Sequence, residues 1–237
     1  MFDRKAFIPN TITLLNLLCG CFALAALWKD AWWPAMGWAL GSQIADFLDG
    51  FAARGLKVSG PIGKQLDSLA DMVSFGVVPG AIFYLLLAAG SQEMYGLYWA
   101  ALPGFIVSAF SALRLAKFNI DTRQTDFFMG LPTPACTLFA WGVLWIAHSE
   151  NAPLAAWVQT PLVLYTMVAA LSWLMVAEWP MFSLKFKSLG WAGNEIRYIF
   201  AAVSLLLLFS LKGTAIPLII VFYILISGIF HRQILKK

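Results

Sequence analysis

Long apolar stretches alternate with short polar ones along most of the chain. The pattern predicts candidate membrane spans at roughly residues 11–28, 32–54, 64–89, 96–117, 131–148, 160–178, 197–211 and 214–231. Most have the ~20 apolar residues that carry a helix across the hydrocarbon core. Stretches such as AAVSLLLLFSL and IPLIIVFYILISGIF lack the period-two alternation of outer-membrane barrel strands. The expected fold is therefore an all-α integral membrane protein of about eight transmembrane helices, with residues 1–237 forming one membrane domain. The seventh span is short, and the last pair also suits a re-entrant hairpin. Ahead of the first span, MFDRKAFIPN mixes charges with Phe2, Phe7 and Ile8. It reads as a short interfacial segment, with Pro9 marking the turn into the membrane.

Composition agrees with this pattern. The chain is 61% hydrophobic and 12% charged, about half the charged share of a soluble domain. With the N-terminus in the cytoplasm and the spans alternating, all of the 16 lysines and arginines except Lys29 and Lys212 fall on the cytoplasmic side. The positive-inside rule accepts that topology and rejects its inverse. It also implies a basic inner face that favours anionic head groups. Basic residues spread around a membrane face do not suit nucleic-acid binding. Cys19, Cys21 and Cys136 lie in apolar stretches and fit neither a zinc spacing nor a disulfide framework. Trp28, Trp32, Trp33, Trp99, Trp145 and Trp157 fall near the outer interface, and Trp179 and Trp191 near the inner one, as an aromatic belt. His148 and His231 are remote from the polar cluster considered next.

That cluster lies in DFLDGFAARGLKVSGPIGKQLDSLAD, residues 46–71. Asp46 and Asp49 share a helical face with Gly50 and Ala53, near the cytoplasmic end of the second span. Asp67 and Asp71 share a face with Gly63, Lys64 and Ser74 at the start of the third. Consecutive spans run antiparallel, so the two pairs of carboxylates can converge just inside the membrane. Together they would repel one another and resist desolvation, and Arg54 and Lys64 do not suffice to neutralise them. Hard oxygen ligands suit Mg²⁺ or Mn²⁺, and two such cations can support in-line displacement at phosphorus. Arg54 and Lys64 can bind phosphate, while Gly55, Gly60 and Gly63 allow close backbone approach. Acids for metal, bases for phosphate and glycines for access suit a nucleotide diphosphate. Helix-packing ion pairs are an alternative. So is an ion or proton pathway, although coupling sites usually lie nearer the midplane.

The same residues resemble the CDP-alcohol phosphotransferase signature D-x2-D-G-x2-A-R-x8-G-x3-D-x3-D. Asp46, Asp49, Gly50, Ala53, Arg54, Gly63, Asp67 and Asp71 match it at every spacing. FIPNTITLLNLLCG, DSLADMVSFGVVPG, ALRLAKFN and FFMGLPTPA are similar to the bacterial phosphatidylserine synthases of that family, as is PMFSLKFKSL. The resemblance implies a homodimeric enzyme of the inner (cytoplasmic) membrane, its site facing the cytoplasm. It would transfer the phosphatidyl group of CDP-diacylglycerol to L-serine, releasing CMP. Asp46, Asp49 and Asp67 would hold two divalent cations, with Asp71 touching the second and acting as general base. Gly50, Ala53, Arg54 and Gly63 would line the cytidine diphosphate pocket.

The acceptor is less constrained. Serine brings a carboxylate that needs Arg or Lys on the cytoplasmic side. Arg114 and Lys117 lie three apart at the inner end of the fourth span, with Asn119 just beyond. They are candidates for binding serine or the lipid phosphate; snorkelling to head groups is the alternative. Lys185 and Lys187, flanking Phe186, suit lipid head-group contact. The competing functions are the same chemistry with glycerol phosphate or inositol phosphate, and a cation transporter using the same four acids.

Overall fold

The computed structural model describes residues 4–58, 60–121, 127–183, 190–191 and 194–230. A single 3-10 turn, Arg4–Ala6, leads into α1 (Phe7–Leu27). The first helix thus begins earlier than the sequence pattern indicates. Pro9 sits in its first turn, where a missing N–H leaves no intrahelical bond unmade. It does not mark a separate turn. A tight connection, with Asp30 at φ 54°, reverses the chain into α2 (Trp32–Leu56). Lys57 ends α2 in the left-handed conformation, its N–H returning to the last-turn carbonyls.

Next comes a continuous helical run made of α3 (Pro61–Asp71), a π-helical segment (Met72–Val77) and α4 (Val78–Ala88). Pro61 stands at the first helical position, where its fixed φ favours initiation. A 3-10 stretch, Trp99–Phe105, feeds α5 (Ile106–Ile120). Then follow α6 (Thr133–Ala147), α7 (Ala152–Val158), α8 (Pro161–Val176), α9 (Glu195–Leu211) and α10 (Ala215–Ile229). One small antiparallel ladder, absent from the all-helical expectation, joins β1 (Phe127–Met129) to β2 (Pro180–Phe182), pairing Phe127 with Phe182 and Met129 with Pro180.

Each predicted span overlaps a helix, yet among the described residues fewer than eight helices meet a membrane-crossing criterion. By length and composition, Phe7–Leu27, Pro61–Ala88, Trp99–Ile120 and the broken run Glu195–Ile229 qualify. The α7–α8 pair, bent by 60°, makes a fifth if it counts as one span. Helix α2 is long enough, but Asp46, Asp49 and Arg54 lower its hydropathy. Helix α6 has 15 residues, about 22 Å of rise against a core of about 30 Å.

Small residues hold the first helices together. The buried positions of α1 are Pro9, Thr13, Asn16, Gly20, Ala23 and Leu27, alternating by four and three. Those of α2 are Ala35, Ala39, Ser42, Ala45 and Asp49. Such stripes let helix backbones approach closely where lipid offers no hydrophobic drive to associate. Phe83, Ile82 and Leu87 of α4, Val143 of α6 and Leu164 of α8 form the central apolar core. At the end away from the aspartates, Trp32 stacks on Trp33 and His148, and both tryptophans meet Trp145 edge-on. Trp28, Trp99, Trp157 and Trp191 are exposed. Trp179 instead packs against Gly228 of α10, its Nε1 buried and without a hydrogen-bond partner among the described residues.

Gly104 marks a close backbone approach in the core. A Cβ there would lie 2.5 Å from the Tyr84 amide nitrogen and 2.9 Å from the Phe83 carbonyl carbon. Gly104→Ala must therefore push α4 away, at about 1–3 kcal/mol. Gly37, on α2, faces open space. Thermal unfolding in detergent should show a clear drop in midpoint for Gly104→Ala and none for Gly37→Ala; equal midpoints would remove this contact from the packing.

Candidate active site

Three helix ends build the site. The polar members of the α1 stripe, Thr13 and Asn16, cluster at its N-terminal end, and Asp49 closes the α2 stripe at its C-terminal end. Antiparallel packing brings these ends together, and α3 begins beside them. As a result, carboxylate oxygens of Asp46, Asp49 and Asp67 all lie within 4.8 Å of one another. Asp49 is buried; Asp46, Asp67 and Asp71 are half-buried. Asp71 stands outside the trio but comes within hydrogen-bonding reach of Asp46.

Helix α1 holds the acids from the opposite side. Thr13 Oγ1 donates to Asp49 Oδ2 at 2.6 Å, the short length of a charge-assisted bond. Asn16 is fully buried, and its Nδ2 donates to Asp71 Oδ1 at 3.2 Å. The Asn16 main-chain carbonyl accepts from Ser74 Oγ at 3.0 Å. Gly20 makes that contact possible, because a Cβ there would meet Ser74, whose Cα stands 3.0 Å away. Ser74 lies in the π-helical segment that follows Asp71 directly. Single-turn π segments recur at functional sites, where the extra residue re-aims the side chains around it.

A cavity of about 600 Å³ opens beside the trio, lined by residues that include Asp49, Gly50, Ala53, Gly60, Gly63, Lys64 and Asp67. It gathers all the residues predicted to bind nucleotide except Arg54. The Arg54 guanidinium lies over Gly50, where a Cβ would stand 3.3 Å from Nη1. Lys64 borders the cavity, but its Nζ donates to the Asn119 carbonyl at 2.5 Å, placing a cation on the C-terminal end of α5. Pro9, Asn10 and Thr13 of α1 also line this cavity, and Asn10 Oδ1 would be 3.3 Å from a Cβ at Gly63. Sequence reasoning passed over them. The available signal was the polar set Asn10, Thr11, Thr13 and Asn16 at the start of an otherwise apolar helix.

The residues proposed for the acceptor separate in space. Arg114 and Lys117 line a second cavity of about 300 Å³, between the C-terminal ends of α5 and α8. Asn119 turns away from it, its Nδ2 donating to Ser68 Oγ of α3 at 2.7 Å. Lys185, Lys187 and His231 lie outside the described residues.

The donor set suits a hard divalent cation. Three carboxylates converge, and neither neighbouring base neutralises them by contact. Arg54 acts on Asp49 only at a distance, and the Lys64 ammonium is held by Asn119. Thr13 supplies a hydrogen bond to Asp49 but no charge. The charge left over calls for a cation with oxygen ligands, such as Mg²⁺ or Mn²⁺.

Known proteins are similar to this chain in sequence. The family described as CDP-alcohol phosphatidyltransferase matches residues 6–181, from the turn before α1 to the second strand. A CDP-diacylglycerol–serine O-phosphatidyltransferase of Bacillus subtilis is 36% identical over 129 residues, covering 54% of this chain and 70% of that protein. The protein of that name from Mycobacterium leprae is 26% identical over 231 residues, 94% of this chain and 72% of the relative. One from Saccharomyces cerevisiae is 37% identical over 170 residues, 63% and 59% of the two chains. With the family match extending over about three-quarters of its length, this chain belongs to the CDP-alcohol phosphatidyltransferase family.

Proposed function

We propose that the chain transfers the phosphatidyl group of CDP-diacylglycerol to the hydroxyl of L-serine, yielding phosphatidylserine and CMP. The observation that carries this reading is the convergence of Asp46, Asp49 and Asp67 beside a glycine-lined cavity. The names of the relatives support serine as the acceptor. Asp46, Asp49 and Asp67 would hold two divalent cations, with Asp71 beside the second. Bound there, the cations would balance the carboxylates and stabilise charge on the phosphoryl oxygens.

The remaining work falls to the chain's own residues. Gly50, Ala53 and Gly63 leave room for the cytidine diphosphate, and Arg54 and Lys64 border its phosphates. For Lys64 this means exchanging its bond to Asn119. The serine oxygen forms a bond to the phosphorus that bears diacylglycerol. The bond from that phosphorus to the bridging oxygen breaks, and CMP leaves with the electron pair. Asp71 takes the serine proton, and Asn16 fixes the direction of its carboxylate. The basic residues favour a topology with this site on the cytoplasmic face of the inner membrane. They also favour eight crossings, with α2 and α6 entering the bilayer as members of the bundle.

CMP release by the purified protein in detergent tests the reading, with CDP-diacylglycerol, Mg²⁺ or Mn²⁺, and a panel of alcohols. Serine-dependent release should fall about 10²- to 10⁴-fold in kcat in Asp71→Asn. Release with glycerol phosphate alone would overturn the acceptor. No release with any alcohol, from folded protein that binds metal, would overturn the enzyme reading.

Thr13→Val probes the support of the metal site. It should raise the Mn²⁺ concentration at half-maximal activity about 10- to 100-fold, with unchanged helix content by circular dichroism. An unshifted metal dependence would show that the Thr13 bond does not tune the trio. EDTA should abolish CMP release reversibly, with activity restored by Mg²⁺ or Mn²⁺; activity that survives exhaustive chelation would argue against any metal role.

A further inference from the structure

The π-helical segment that follows Asp71 has a cause in the sequence. Pro79 lies near the start of α4, inside the continuous helical run Pro61–Ala88. In a regular α-helix its ring would press on the Phe75 carbonyl four residues earlier, and it offers that carbonyl no N–H. A wider turn relieves the clash. The Val78 N–H reaches back five residues to the Val73 carbonyl, the bond of a π turn. Phe75 still loses its ordinary helical donor, and it is buried, so water does not replace that donor.

Three neighbouring helices hold this turn, at three consecutive residues. Ser74 Oγ donates to the Asn16 carbonyl of α1 at 3.0 Å. Thr137 Oγ1 of α6 donates to the Phe75 carbonyl at 3.1 Å, sharing its proton with the Thr133 carbonyl at 2.9 Å. Ser108 Oγ of α5 donates to the Gly76 carbonyl at 2.8 Å. All three hydroxyl side chains are buried. Glycines admit them: a Cβ at Gly80 would overlap Ser108 Oγ, and one at Gly76 would lie 3.2 Å from the Ser111 Cβ. Neighbouring hydroxyls commonly satisfy backbone that proline frees inside a membrane helix, and Thr137 does so here. Gly76 has N–H groups both four and five residues further on, so Ser108 is not needed to satisfy its carbonyl. That bond instead ties the turn to α5.

The turn carries Asp71. Ile82, Phe83 and Leu87 fix α4 in the apolar core, and Asp71 stands directly ahead of the π segment. One residue corresponds to about 100° of helix rotation, so a return to regular α geometry would swing Asp71 away from Asn16 and Asp46. Building on the reading of Asp71 as general base, we infer that Ser108 and Thr137 are positioning residues for it. They lock the π turn from α5 and α6, and the locked turn aims the carboxylate. Neither belongs to the metal-binding trio or lines the cavity beside it.

A double-mutant cycle on CMP release tests this, with the full chain in proteoliposomes containing CDP-diacylglycerol. Ser108→Ala and Thr137→Val each remove one hydroxyl from the turn. Each should lower kcat about tenfold or more, with KM for serine changed less than about threefold. The dissociation constant for Mn²⁺, read by electron paramagnetic resonance, should stay at the wild-type value. Thr137→Ser keeps the hydroxyl and should keep kcat within about threefold of wild type. In an Asp71→Asn background, Ser108→Ala and Thr137→Val should cost less than about threefold, because no base is left to misdirect. If either variant fails to fold, Ser108→Cys, close in size and a weaker donor, takes its place with the same expectation. Unchanged kcat, or an equal loss with and without Asp71, would overturn this inference and leave the serine reading intact. Full serine-dependent release by Asp71→Asn would overturn the base assignment on which it rests.

Discussion

The structure turns on the difficulty of gathering four carboxylates at the apolar end of a helical bundle. Water cannot solvate such a cluster fully, and like charges at this spacing repel strongly. Much of the surrounding fold answers that difficulty. Helix α1 contributes Thr13 and Asn16 to individual carboxylate oxygens. Arg54 and Lys64 stand near without collapsing onto the acids. The donor set therefore stays available to a cation, where a closed ion pair would have consumed it.

Helix packing is arranged around the same requirement. Side chains on α1 reach Asp49 and Asp71 only because the stripe at Gly20 and Ala23 lets neighbouring backbones come close. The π-helical segment after Asp71 presents Ser74 to the α1 main chain and fixes the height of α3 against α1. Lys64 and Ser68 then tie α3 to Asn119 at the end of α5. One short helix thereby lines the larger cavity and is hydrogen-bonded to the end of the helix that lines the smaller one.

The sequence revealed the acids more readily than their surroundings. Spacings of three and four, on consecutive antiparallel spans, force Asp46, Asp49 and Asp67 to one region by helix geometry alone. The helices likewise follow from long apolar runs. Other features depend on tertiary approach that no local pattern encodes. The polar residues of PNTIT stand out in an apolar helix, but only tertiary approach places Asn10 and Thr13 on the wall of the larger cavity. Asn119 follows Arg114 and Lys117 in sequence, yet it lies about half a turn beyond Lys117 and so faces α3, not the second cavity. The β1–β2 ladder arises between two three-residue segments far apart in the chain, too short for alternation to register. Helix α2 shows the opposite effect: the apolar pattern marks a span at 32–54, but the charges that mark the site keep this helix outside a membrane-crossing criterion.

The outward face of α2 beside the site is greasy. Phe47 is 67% exposed and Phe51 63%, and Ile62, on the wall of the larger cavity, is 58% exposed. A lipid-linked nucleotide could therefore enter sideways, its acyl chains never leaving the leaflet while its head group slides between α2 and α3. Encounter then becomes a two-dimensional problem. The donor's effective concentration is its mole fraction among neighbouring lipids, so dilution with inert phospholipid or detergent slows turnover even when the total amount of donor is unchanged. The water-soluble acceptor, arriving from the aqueous side, obeys ordinary bulk concentration, and the two substrates of one reaction are counted on different scales.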